Sequence, residues 1–168
     1  MQKNITIKMD TIKSLYNEDT WGQIAVAQLP VPEEMLRELA SNPESAVRSC
    51  VARNPKASAE ILEMLAEDKN DEVRFWVACN PKTPAKVLDK LAGDEDGEVR
   101  AAVANNPRTL AKTLARLAND EYVGVIFAVL ENDKTPVKGL IKLAQNESPS
   151  IRKEAEYLLN KRGRVPAE

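Results

Sequence analysis

Apolar positions recur along this chain on two scales, a short one that marks helices and a long one of 26 residues that marks repeats. Val47, Val73, Val99 and Val125 stand one period apart, and Ile151 closes the column. Leu36, Leu62, Leu88, Leu114 and Leu140 keep the same step, as do Leu39, Leu65, Leu91, Leu117 and Leu143. A fixed period of this length marks a solenoid, in which each unit buries its apolar edge against its neighbours.

The unit from Val73 to Glu98 shows the expected elements. Val73, Trp76 and Val77 fall at i, i+3 and i+4, which predicts a helix over 72–79. Asn80-Pro81 stops it, because the residue before a proline is pushed out of the helical region. Thr83 is placed to cap a second helix, with Pro84 at its first position. Val87, Leu88, Leu91 and Ala92 form its buried stripe, and Gly93 sits where a left-handed C-terminal cap belongs. Asp94, Glu95 and Asp96 make the solvated turn into the next unit. Both helices are about two turns long and too short to be stable alone, so neighbouring rows must hold them.

The ends depart from this pattern. Val26, Ala27 and Pro30 enter the register only if one residue shifts before Leu36. Asp10 is placed to cap a short helix bearing Ile12, Leu15 and Tyr16. The last row keeps only its first helix, Ile151 to about Asn160, and carries Lys153, Glu154 and Glu156, the polar outer face that a terminal unit needs. The expected organisation is an N-terminal cap segment over 1–20, a solenoid of about six two-helix repeats over 21–160 and a basic tail over 161–168.

Composition removes several function classes. The chain has no histidine, which excludes Ser-His-Asp and Cys-His catalysis, HExxH zinc sites and imidazole pH switches. Its two cysteines, Cys50 and Cys79, are too few for a four-thiolate cluster and read as small apolar fillers. Aromatic content of 4% leaves the packing to alanine, leucine and valine. Met1 to Thr20 lacks the apolar core of a secretory signal, and no run approaches the roughly 18 apolar residues of a membrane span. A reducing cytoplasm without membrane attachment is the expected compartment.

A unit reading Val-Arg-x-x-Val-Ala-x-Asn-Pro-x-Thr-Pro-x-x-x-Leu-x-x-Leu-Ala-x-Asp resembles the leucine-rich repeat variant family, over roughly Trp21 to Asn160. More distantly it is similar to HEAT-like helical repeats. The resemblance implies an all-α, right-handed superhelical solenoid of short α-helices, some of the tighter 3₁₀ type. Some members carry an iron–sulfur cluster in a cysteine-rich N-terminal segment. Met1 to Thr20 contains no cysteine, so neither a cluster nor another cofactor is expected here. The family shares no single activity, and function must be read from the outward side chains.

Three sets stand out. Arg48, Arg74, Arg100 and Arg152 form a column that is expected to tie down the acidic turns through Asp68, Asp94 and Asp120; gripping a phosphate is the functional alternative. Asn54, Asn80, Asn106 and Asn132 are expected to satisfy backbone at each corner.

The second set is a three-by-three grid of cations on the second helices: Lys82, Lys86 and Lys90; Arg108, Lys112 and Arg116; Lys134, Lys138 and Lys142. Earlier rows carry Glu34, Glu38, Glu60 and Met64 there. Cations four apart on a helix repel by about 0.2–0.5 kcal/mol per pair. Lys86, Lys112 and Lys138 also lie at the third helical position, facing the positive end of the helix dipole. Threonine hydroxyls, free N–H groups and lysines at three helix starts would make an anion-binding strip. The alternative is a solvated face neutralised by Asp94, Glu95, Glu98, Asp120 and Glu121.

Third, Phe75 and Phe127 share one repeat position. Filling space where Ala101 is smaller is the favoured reading, and apolar contacts for a partner the other. No catalytic set and no metal-ligand set emerges. The sequence therefore points to a non-catalytic protein-binding module whose grid meets an acidic protein. The alternative is phosphate-backbone binding of nucleic acid on the same strip.

Overall fold

The computed structural model describes residues 20–162. The expected cap helix around Asp10 and the tail beyond Arg162 lie outside them, as does the side chain of Trp21. Among the described residues the chain is all helical. First helices are α1 (Thr20–Ala27), α3 (Ser45–Arg53), α5 (Asp71–Cys79), α7 (Gly97–Asn105), α9 (Val123–Glu131) and α11 (Pro149–Lys161). Second helices are α2 (Glu33–Leu39), α4 (Ala59–Leu65), α6 (Ala85–Leu91), α8 (Ala111–Leu117) and α10 (Val137–Leu143). First helices pack directly on one another, α3 on α5, α5 on α7 and α7 on α9, whereas second helices touch their counterparts sparsely. The result is a two-layered all-α solenoid.

The periodic columns form the core between the layers. Val47, Val73, Val99 and Val125 are each 0% exposed, and Leu36, Leu62, Leu88, Leu114 and Leu140 likewise. Burying one such side chain contributes about 1.5–3 kcal/mol, which is how helices of seven and nine residues become stable.

Local chemistry departs from the sequence expectations at four points. The second helices are α-helical, and 3₁₀-type bonds appear only at their ends, as where the Gly93 N–H donates to Lys90 O at 3.0 Å. Pro84 is itself the N-cap of α6, with extended backbone and no side-chain cap bond, so Lys86 is the second helical residue and not the third. Thr83 caps nothing: its hydroxyl is fully buried and donates to Val77 O at 2.5 Å. Thr109 and Thr135 do the same to Val103 O and Val129 O. Each of these carbonyls already accepts the N–H of the corner asparagine (3.1 Å from Asn80 to Val77 O), and the threonine gives it a second donor rather than capping the next helix. Gly93 needs no left-handed backbone, because the turn continues from a right-handed Ala92, and Glu67 and Asn119 occupy the same position.

Two side-chain ladders stitch the rows. Asn80 donates to Ala52 O (2.7 Å) and Asn54 O (3.1 Å) of the row before, while its Oδ1 accepts from the Lys82 N–H (2.9 Å). Asn106 and Asn132 repeat this one and two rows on. Asn54 reaches Ala27 O and Leu29 O, one residue later in register, which bears out the one-residue shift of the first row. At the far end the position belongs to Leu158, and Arg162 instead bonds the corner carbonyls of Thr135 and Asp133. Glu154 and Glu156 are exposed at positions where α7 and α9 bury Ala102 and Ala128, Ala104 and Leu130.

Candidate interaction surfaces

The arginine column is structural in three of its four members. Arg74 is 9% exposed and spans two successive turns. Its Nη1 donates to Asp68 O at 2.9 Å, and its Nε and Nη2 take both oxygens of Asp94 at 2.7 and 2.8 Å. Arg48 grips Asp68 and Arg100 grips Asp120 in the same two-pronged way. Arg152 keeps only the backbone half of the arrangement, through Asn146 O and Glu147 O.

The series is neutral at both ends. Gln23 and Asn42 hydrogen-bond at 2.8 Å where the first pair would stand. In the fifth row Ile126 replaces the arginine and Asn146 the aspartate, so both partners of one ion pair are absent together. Asn146 still accepts from the Ser148 N–H, the turn-forming bond that Asp94 makes to Asp96.

Burial pushes the Asp68 and Asp94 carboxyls up, but the facing guanidinium and a turn N–H outweigh it and hold both below the usual carboxylate range. The Arg100 hydrogen bonds do the same to Asp120, against burial. Folded values below the unfolded value of about 3.9 mean that the pairs contribute fully above that pH, and the contribution is lost as pH falls through the folded values. The melting temperature should therefore hold between about pH 7 and 5 and fall steeply below about pH 4. Circular dichroism melts across that range check this; a constant or rising melting temperature in acid would refute it.

All nine grid cations are exposed and lie on the second-helix side, but not as one helical face. Lys82, Arg108 and Lys134 sit in the corners after Asn80, Asn106 and Asn132; the other six lie on α6, α8 and α10. The threonine hydroxyls take no part in the expected anion strip, since they are buried and already donating. Four cations have partners. Lys90 pairs with Glu67, and Lys112 (3.6 Å) and Arg116 (3.3 Å) share Asp89. Lys134 donates to Pro107 O at 2.6 Å. Lys82, Lys86, Arg108, Lys138 and Lys142 make no side-chain bond or ion pair with a described residue. Of the acidic-turn carboxylates beside them, Asp94 and Asp120 are bound to Arg74 and Arg100 and Glu98 accepts from the Tyr122 hydroxyl, while Glu95 and Glu121 are exposed.

The first-helix side differs in chemistry. Phe127 is 42% exposed, contrary to the favoured packing reading, while Phe75 is half-buried edge-to-face against Trp76. Trp76 is itself half-buried, under the Arg53 guanidinium at 4.7 Å. Cys50 is half-buried and accepts from Gln28, but Cys79 is exposed and not a core filler; the small residue there sits on the outward edge of α5. Exposed Tyr122, Val123 and Tyr157 join Phe127 on this side. The sequence signal for Tyr122 was the pair Gly97 and Gly124, whose missing side chains leave room for its ring.

Among the described residues no helix is long and apolar enough to cross a membrane, and no three cysteine or carboxylate residues group as metal ligands. The two layers and their inter-row ladders define the class: an all-α solenoid of two-helix repeats. No family model matches the chain, and no curated protein does. A solved structure described as a leucine-rich repeat variant with a novel repetitive protein structural motif does match, at a TM-score of 0.70 and 26% identity over 87% of this chain. The chain has the repeat fold of that leucine-rich repeat variant, and spans 59% of the length of the solved protein.

Proposed function

We propose that the protein is a non-catalytic interaction module whose second-helix face binds an acidic protein. The observation that carries this reading is the set of five unpartnered cations, Lys82, Lys86, Arg108, Lys138 and Lys142, beside turns whose Asp94 and Asp120 are bound to the first-helix arginines. Those two carboxylates are therefore not free to offset the cations, and a field of this kind sets encounter rate and partner choice. Because the first helices pack closer together than the second, curvature of the stack would turn the basic face outward, as a rim open to a large partner.

Phosphate-backbone binding on the same strip is the alternative. It is disfavoured because Phe75, Trp76, Tyr122, Phe127 and Tyr157 all belong to the first-helix elements or the turns leading into them, so that among the described residues no aromatic stands beside the grid for base stacking. Substituting Lys86→Glu, Lys112→Glu and Lys138→Glu together tests both. All three side chains are exposed, so stability should stay within about 0.5 kcal/mol per substitution. Fluorescence anisotropy with labelled polyglutamate should show wild-type binding that weakens with salt and drops at least about tenfold in the variant. Equal binding of polyglutamate by both proteins would sink the acidic-partner reading. Steeper salt dependence and tighter binding for a labelled DNA duplex would favour phosphate instead.

A further inference from the structure

The opposite face carries the opposite charge. Along α5, α7 and α9 the exposed charged side chains of the helices are Asp71, Glu72, Glu98 and Glu131. Both arginines on these helices, Arg74 and Arg100, are bound to Asp94 and Asp120. Exposed cations flank the stretch at Arg53, stacked on Trp76, and at Lys153 on α11.

Within this acidic surface lies an apolar shelf. The outward stripe of α9 reads Val123, Phe127, Glu131 at four-residue spacing, with Val123 54% and Phe127 42% exposed. Beside it Tyr122 lies flat across two glycines. A Cβ on Gly97 would stand 2.7 Å from its Cγ, and one on Gly124 2.8 Å from its Cε1. The Tyr122 hydroxyl donates to Glu98, which fixes the ring with its outer face in solvent. One row on, Tyr157 occupies the column of Glu131 and is 58% exposed. Stability does not call for a valine and two aromatic rings held in water, whereas covering them gains roughly 25 cal/mol per Å² of apolar surface.

From this combination we infer a second docking surface, distinct from the basic strip, for a basic amphipathic segment of a partner protein. Apolar side chains of the segment rest on Tyr122, Val123 and Phe127, and its lysines or arginines meet Glu98 and Glu131. Charge complementarity selects this occupant: an acidic segment meets like charge at Glu98 and Glu131, with Lys153 the cation at the edge of the shelf, and an uncharged apolar one leaves the carboxylates unused. The two faces together make the protein a linker between partners of opposite charge.

The test uses the full chain and a fluorescein-labelled amphipathic lysine–leucine peptide. A lysine–serine peptide of equal charge and a glutamate–leucine peptide of equal pattern serve as controls. Val123→Ser with Phe127→Ser changes only exposed side chains, and an unchanged melting temperature confirms its fold. The lysine–leucine peptide should bind wild type, lose at least about tenfold in the Val123→Ser, Phe127→Ser variant, and be unaffected or bind more tightly once the grid lysines are reversed to glutamate. Equal binding to wild type and the double-serine variant would overturn the proposal, and so would equal binding of the lysine–serine peptide. If sedimentation shows wild-type self-association that both the double-serine and the grid variants abolish, a second copy of the chain occupies the shelf and the assigned partner class is wrong.

Discussion

Asp94→Asn should destabilise the protein by about 3 kcal/mol, and adding Arg74→Ile should restore most of that loss. The single substitution leaves the turn intact, since asparagine still accepts from the Asp96 N–H. It leaves a guanidinium that is 9% exposed without its ionic partner: Nη1 keeps Asp68 O and Nη2 can keep the amide oxygen, but Nε now faces an amide NH2 in place of Oδ2, and the nearest remaining carboxylate is the exposed Glu95 at 3.5 Å. Breaking a buried pair from one side costs about 3–5 kcal/mol, and Glu95 argues for the lower end. The double variant reproduces what the fifth row already contains, Ile126 with Asn146, where Ile126 is 4% exposed and well packed. Urea denaturation of the four proteins should give a coupling energy of about 2–3 kcal/mol. Additive effects would show that the pair is not a unit and that the fifth row is a coincidence.

Asn80→Ala is expected to cost about 3 kcal/mol or more, through groups it leaves behind rather than volume removed. Its amide is 2% exposed and bonds two carbonyls in the preceding row and one N–H of its own corner; Asn54 O keeps the Ala57 N–H, so Ala52 O and the Lys82 N–H are the groups left behind. Each buried group left unsatisfied costs about 1–3 kcal/mol. Asn132→Ala removes the same set from a half-buried site whose longer bond is already 3.4 Å, so water can replace part of it and the loss should be about half as large. Because a solenoid is held by nearest-neighbour interfaces, Asn80→Ala should also broaden the urea transition as the rows on either side uncouple. Similar midpoints for the two variants would refute the ladder as a main source of inter-row stability.

The same residues show what could be read in advance. Column periodicity located the rows, both helices of each row, the first-row shift and the polar outer face of the last helix. Pairing of Arg48, Arg74 and Arg100 with Asp68, Asp94 and Asp120 was also legible, because both members recur in step. The grid was legible as a set of positions, but its geometry was not: the assumption of one continuous helical face failed at Pro84, which begins the helix two residues after Lys82. Thr83 was misassigned for a related reason. A threonine before a proline fits a cap by local chemistry, yet the carbonyl it bonds belongs to the helix before.

By itself the sequence determined the repeat, the all-α class and the buried columns, because a side chain placed every 26 residues meets the same neighbour and its polarity reports that neighbour directly. Only the tertiary structure decided which hydroxyl bonds which carbonyl, which acidic groups are already spent, and that basic and acidic-aromatic surfaces fall on opposite layers. Those outcomes depend on partners in adjacent rows and on the orientation of each side chain, as when Tyr122 settles across Gly97 of the row before. Periodicity records how deeply a position is buried; it carries no direction, and direction is what separates a paired charge from a free one.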